Sequence, residues 1–121
     1  MIRRQKNAYN LGKSAEKHAE KYLISHGFAI VAKNYRYQRA EIDIIAQKES
    51  LLLFIEVKAR TRLDFGYPEN FVSQQQSELI KKAAENYLFQ HKWDGSIRFD
   101  IISILKQREK MKITYFEDAI I

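Results

Sequence analysis

Asp43, Glu56 and Lys58 are the residues whose types and spacing suit chemistry on a phosphodiester. Two carboxylates can hold a hard cation such as Mg²⁺, which takes oxygen ligands, keeps several waters and is commonly bound by one or two protein carboxylates plus substrate phosphate. Such an ion polarises a non-bridging oxygen and makes hydroxide available near neutral pH. A lysine two residues beyond the second carboxylate is placed to orient the attacking water and to offset charge on the transferring phosphoryl group. Glu-x-Lys by itself is weak, because half-exposed strands often carry that pair as a solvated ion pair. The surrounding elements must bring the three groups together.

All three lie in the stretch from Glu41 to Lys58, where two runs rich in Ile, Leu, Val and Phe flank the polar group Gln47 to Ser50. That pattern predicts a β-hairpin. With Lys48 and Glu49 as a two-residue turn, Gln47 faces Ser50, Asp43 faces Phe54 and Glu41 faces Glu56. Strand alternation puts Ile42, Ile44 and Ala46 on one side and Glu41, Asp43 and Ile45 on the other, the first side being purely apolar. Asp43 and Glu56 are then diagonal neighbours, roughly 7–8 Å apart at the backbone, within reach of one cation. A one-residue slip would scatter the set.

A helix is expected from about Asn10, a suitable N-cap, to His26, with Gly27 as its stop. Its apolar stripe is Leu11, Ala15, Ala19, Tyr22 and Leu23, and at about 100° per residue Glu16 falls on the stripe's edge. Glu16 could hold the same ion, a second ion or a water; the simpler alternative is a pair with Lys13 or Lys17. A strand from Phe28 to Tyr35 leads into Arg36-Tyr37-Gln38-Arg39-Ala40, where Arg36 and Arg39 interleaved with tyrosines suit phosphate contact and base stacking. Beyond the hairpin, Arg60 and Arg62 open a Gly- and Pro-containing loop through Asn70, placing positive charge beside the carboxylates.

A second helix spans Ser73 to Gln90, with Leu79, Ile80, Ala83, Ala84, Tyr87 and Leu88 facing inward. Gln76 points the same way and could reach the site, although Ser73-x-x-Gln76 also matches a capping box. After a turn at Lys92 to Gly95, a strongly apolar strand runs from Ile97 to Leu105, with Arg98 and Asp100 as a local ion pair. A turn at Gln107 to Lys110 precedes a short edge strand, Ile113 to Phe116.

The 121 residues, 45% of them hydrophobic, fit one globular domain with one core. Residues 1–9 carry Arg3, Arg4 and Lys6 and read as a flexible basic arm, and residues 10–121 as the single domain. A net charge of +6 favours a polyanionic partner, nucleic acid above all. No segment combines a basic face with a wide apolar stripe, so a membrane partner is not expected. The absence of cysteine excludes disulfides and thiolate metal sites. His18, His26 and His91 are scattered, which leaves zinc poorly supported. With no apolar run of about 18 residues and no signal-peptide core, the expected location is cytoplasmic.

Several pieces together carry a family resemblance: Gly12-x-x-x-Glu16-x-x-Ala19-x-x-Tyr22-Leu23, Asn34-Tyr35-Arg36, Glu41-Ile42-Asp43-Ile44-Ile45-Ala46, Phe54-Ile55-Glu56-Val57-Lys58-x-Arg60, Phe65-Gly66, Ala83-Ala84 with Tyr87-Leu88, and Arg98-Phe99-Asp100. The chain resembles the YraN-like family of bacterial proteins, which are similar to archaeal Holliday junction resolvases and share the restriction-endonuclease-like fold. The resemblance implies a metal site on Glu16, Asp43 and Glu56, with Lys58 as the catalytic lysine. The sequence departs from the family at Ala40, where many members have Gly, and at Gln76, where a basic residue is common.

The expected fold is therefore α/β and restriction-endonuclease-like, a central mixed sheet flanked by helices in the order α-β-β-β-α-β-β. The expected function is Mg²⁺- or Mn²⁺-dependent endonucleolytic cleavage of DNA, branched or otherwise structured. Arg36, Arg39, Arg60, Arg62 and Gln76 would contact nucleic acid, and a two-fold junction substrate would call for a homodimer. The alternatives are a catalytically silent nuclease-fold module that binds DNA or RNA, and an adaptor for a DNA-processing protein.

Overall fold

The computed structural model describes residues 2–61 and 72–120, with side chains from residue 10 onward. The elements are α1 (Ile2–Ser25), β1 (Ala29–Tyr37), β2 (Ala40–Lys48), β3 (Leu51–Arg60), α2 (Gln74–Gln90), β4 (Ser96–Gln107) and β5 (Lys110–Phe116). Their order is the expected α-β-β-β-α-β-β. The five strands form one mixed sheet in the order β1-β2-β3-β4-β5. Only β3 and β4 pair in parallel, joined by the crossover through α2.

α1 is longer than expected. It begins at Ile2 rather than near Asn10, so the backbone of the segment expected to be a flexible arm is helical. It ends where predicted, because Gly27 takes φ 88° and lets the Phe28 N–H reach the Leu23 carbonyl while the Gly27 N–H reaches that of Ile24. α2 starts from Ser73, whose hydroxyl accepts from the Gln76 N–H at 3.1 Å. The N-cap half of the anticipated capping box is thus present.

Helices cover both faces of the sheet. Ala15, Ala19 and Leu23 of α1 pack on Ile44, Ala46, Leu53, Ile55, Ile102 and Ile104. Ile80, Ala83, Ala84 and Tyr87 of α2 pack on Ala40, Ile42, Ile45, Leu52, Phe54 and Ile101. The expected alternation of Ile42, Ile44 and Ala46 on one apolar side does not hold. Ile42 lies with Ile45 under α2, and Ile44 lies with Ala46 under α1, so the alternation breaks at Asp43. On β1, between the pairs Lys33↔Ile44 and Tyr35↔Ile42, Asn34 has φ 50°, at the level of the break on β2, while the pairing register itself shifts between Ile30 and Ala32.

The hairpin register also differs from expectation. Lys48 pairs with Leu51 and Gln47 with Leu52, which leaves Glu49, at φ 55°, and Ser50 as the exposed turn. The shift keeps two polar residues at the tip and draws Leu51 into the ladder. Because it is an even shift, the faces survive it.

Past β5 the chain returns over the start of β4. The Ala119 N–H donates to the Phe99 carbonyl at 2.9 Å, and Ile120 is buried in the α2-side core. Nearby, Asp100 is fully buried and accepts from Arg98 Nε at 3.0 and 3.1 Å, from the Tyr115 hydroxyl and from the Asp118 N–H at 2.8 Å. The predicted Arg98–Asp100 pair is thus the centre of a larger latch. Among the described residues no helix is long and apolar enough to cross a membrane.

Candidate active site

β2 and β3 are paired as far as Ile44↔Ile55. At the next position Asp43 stands beside Glu56, and its side chain takes over from the backbone ladder: the Val57 N–H donates to Asp43 Oδ2 at 2.7 Å. The two carboxyl groups are close enough for each to perturb the other's ionisation. The two were expected as diagonal neighbours; the register shift carries Asp43 toward the level of Glu56, just past the last pair, Ile44↔Ile55. Two residues on, Lys58 places Nζ 3.7 Å from Glu56 Oε1. The strand period thus sets acid and lysine together, as the Glu-x-Lys spacing implied.

Burial governs the electrostatics. Glu56 is 8% exposed, and loss of solvent, followed by repulsion from Asp43, pushes its pKa up to about 8 despite the opposing charge of Lys58. Burial likewise raises Asp43, opposed by the Val57 N–H and reinforced by the charge of Glu16. A buried and a half-buried carboxyl that resist ionising together form a site that a cation would relieve.

Glu16 reaches the site from α1. It lines one cleft with Asn34, Glu41, Asp43 and Glu56, on the α1 side of the sheet. Asn34 Nδ2 donates to Glu16 Oε1 and to Glu41 Oε1, each at 3.0 Å, tying the helix carboxylate to the strand. The alternative partner Lys13 is also present, at 3.8 Å from Glu16 Oε2. Arg36 is largely exposed and pairs with Glu41 at 3.0 Å.

A second cleft, on the α2 side, is lined by Arg39, Ala40, Glu41, Asp43, Glu56, Gln76, Leu79 and Ile80. Asp43 and Glu56 are therefore reached from both sides of the sheet. Arg39 and Gln76 join them there, whereas Arg36 opens onto the α1-side cleft. Arg60 ends β3, level with Leu105 of β4. Arg62 lies outside the described residues. Among the described residues no group of three or more Asp, Glu, His or Cys side chains is gathered around one ion position.

Sequence reasoning missed Asn34 as the bridge between Glu16 and Glu41, and the Val57 amide as the anchor of Asp43. The first had a signal, since Asn tolerates the left-handed backbone that a strand irregularity needs. The second depends on where the ladder stops, which composition does not encode.

A carboxyl pair, Glu56 buried and Asp43 half-buried, with a neighbouring lysine, set where two strands of a helix-covered mixed α/β sheet part, defines the class of site. The chain belongs to the family described as "Uncharacterised protein family UPF0102", whose profile matches residues 15–104. It is similar to UPF0102 proteins of Flavobacterium psychrophilum (44% identity over 91% of this chain and 92% of the relative) and Christiangramia forsetii (41% over 90% and 92%). It is also similar to one from Dictyoglomus thermophilum, with 45% identity over 82% of this chain and 85% of the relative.

Proposed function

We propose that this protein is a metal-dependent endonuclease that hydrolyses phosphodiester bonds in DNA, of the restriction-endonuclease-like type found in archaeal Holliday junction resolvases. The observation that carries it is the half-buried Asp43 beside the buried Glu56, with Lys58 Nζ 3.7 Å from Glu56. Two carboxylates are fewer than a closed metal cage requires, yet they meet the minimum for Mg²⁺ or Mn²⁺ completed by water and substrate phosphate. Asp43 and Glu56 would hold the ion, with Glu16 as an accessory ligand from α1. When bound, the ion supplies Lewis-acid activation of the phosphoryl group and of water. Lys58 Nζ, with three donors and its partner carboxylate on one side, orients the attacking water and faces the charge that builds on the non-bridging oxygens. Arg39 and Gln76 border the α2-side approach, and Arg36 the α1-side one.

The hold of Asn34 on Glu16 favours a second reading, a nuclease fold that binds DNA or RNA without cutting it. One experiment separates them: incubation of branched, nicked and single-stranded DNA with Mg²⁺ or Mn²⁺, comparing the wild type with Asp43→Ala and Lys58→Ala. Cleavage lost in both variants supports the endonuclease. Cleavage that persists in both rejects this site, and salt-dependent binding indifferent to Mg²⁺ with no cleavage supports the binding module.

A further inference from the structure

One run rich in positive charge lies away from the acid pair. Residues 106–112 read Lys-Gln-Arg-Glu-Lys-Met-Lys, four cations against the single carboxylate of Glu109, a net of +3 out of +6 for the whole protein. Lys106, Arg108, Lys110 and Lys112 are all exposed, and among the described residues none of them forms a salt bridge. Between them, Met111 packs on the α1-side core and fixes the hairpin to the sheet. The cations are therefore solvated charges on an anchored support.

The sheet sets their position relative to the site. Lys58 pairs with Ser103, Arg60 with Leu105, and Leu105 with Lys112, while Lys106 and Gln107 carry β4 one and two residues past Arg60. The β4–β5 turn thus stands at the end of the sheet toward which β3 runs after Glu56. Four residues at about 3.3 Å each and two strand spacings of about 4.8 Å put Lys112 roughly 16 Å from the level of Glu56. Phosphates of one DNA strand succeed one another about every 3.4 Å along the helix axis, so a backbone seated at the acid pair brings phosphates to the turn some five steps away.

We infer that the β4–β5 turn is a backbone-binding arm that grips the duplex DNA flanking the reacting phosphate through Lys106, Arg108, Lys110 and Lys112. This rests on the nucleic-acid reading of the acid pair and extends it to a substrate with a duplex flank. The cations contact phosphate oxygens without reading sequence, as point charges and one guanidinium do. A rival explanation exists for part of the set, since β5 is the sheet's edge and edge lysines also discourage strand pairing between molecules.

Binding without turnover isolates the arm. The full chain carrying Asp43→Asn is titrated onto a 20-base-pair duplex, a length of about two helical turns, in chelator over a range of salt. It is compared with the same protein bearing Lys106→Ala, Arg108→Ala, Lys110→Ala and Lys112→Ala together. A third protein loses the remote exposed cations Lys17, Lys21, Lys81 and Lys92 instead. The arm predicts that the slope of log affinity against log salt becomes shallower by about 0.9 per lost contact, about 3–4 in all, in the turn variant but not in the remote one. A slope equally shallow in both reduces the effect to bulk charge and overturns the inference. An unchanged slope with new concentration-dependent self-association overturns it in favour of edge protection. Absence of binding by the parent protein overturns it together with the nucleic-acid reading. Single Lys112→Ala and Arg108→Ala variants, each expected to remove about 0.9 from the slope, keep the test open if the fourfold variant does not fold.

Discussion

Asp43 Oδ2 accepts the Val57 N–H at 2.7 Å, and with that bond a side chain replaces the backbone where β2 and β3 part. The carboxylate is at once a candidate metal ligand and a structural acceptor. Asp43→Asn keeps an acceptor oxygen and removes the charge facing Glu56, whereas Asp43→Ala leaves the Val57 N–H without its partner. Urea denaturation at pH 7 should therefore rank Asn above Ala by about 1–3 kcal/mol, while both variants lose cleavage. Equal stabilities would show that the Val57 bond contributes nothing.

Glu56 gives the metal-free protein a defined pH dependence. Its pKa is raised in the fold from 4.5 to about 8, so its contribution to stability is complete below pH 4.5 and is lost as pH rises toward 8. Thermal melts in chelator should fall across that window. Glu56→Gln should flatten the fall and gain on the order of 2 kcal/mol at pH 8. Millimolar Mg²⁺ at pH 8 should raise the melting temperature of the wild type and leave that of Glu56→Gln nearly unmoved. A wild-type melting curve that is flat from pH 5 to 8 would contradict the assignment of burial and repulsion at this carboxyl.

Asn34 combines two roles that substitution can separate. At φ 50° it occupies left-handed backbone, and its amide joins Glu16 to Glu41. Asn34→Ala should cost about 1–2 kcal/mol for the backbone plus the lost bridge. Asn34→Gly relieves the backbone and loses only the bridge. If the bridge sets the position of Glu16, both variants should lower Mg²⁺ affinity by a similar factor although their stabilities differ. A metal affinity that tracks stability would assign Asn34 a purely structural role.

The Asp100 latch predicts a different behaviour. Burial and the bond to Asp100 raise the pKa of Tyr115, and Arg98 is raised chiefly by its hydrogen bonds to the same carboxylate. Tyr115→Phe should cost about 1–3 kcal/mol, and Asp100→Ala more, because the half-buried Arg98, the Tyr115 hydroxyl and the Asp118 N–H all lose their acceptor. Below the melting temperature the Tyr115→Phe protein should keep wild-type cleavage, since the latch lies outside both clefts around the acid pair.

Element order was legible because each element has its own period: the 3.6-residue stripe of Ala15, Ala19 and Leu23, the apolar runs of β2, β3 and β4, and Gly27 as a stop. The register was not, because Lys48, Glu49 and Ser50 are all polar and none marks the turn by type. The two-residue error was harmless to the faces and made Asp43 and Glu56 closer neighbours than predicted. The break in alternation at Asp43 was invisible, since it goes with a left-handed Asn34 on the adjoining strand. Glu16 was legible from the helix wheel, while its tie to Asn34 needed the packing of α1 across β1. Arg62 falls outside the described residues.

The parallel pairing of β3 with β4 bears on how the site comes into being. Asp43 and Val57 are fourteen residues apart, so a hairpin that closes locally can bring the two acids face to face. Ile101, which flanks Glu56 from the other side, arrives only after the chain has passed through α2. Contact order alone therefore predicts repulsion between the carboxylates early in folding and the burial that suppresses their ionisation later. If the proposed divalent ion binds this pair, a nascent hairpin that captures it should fold faster, and refolding rates compared in Mg²⁺ and in chelator check that.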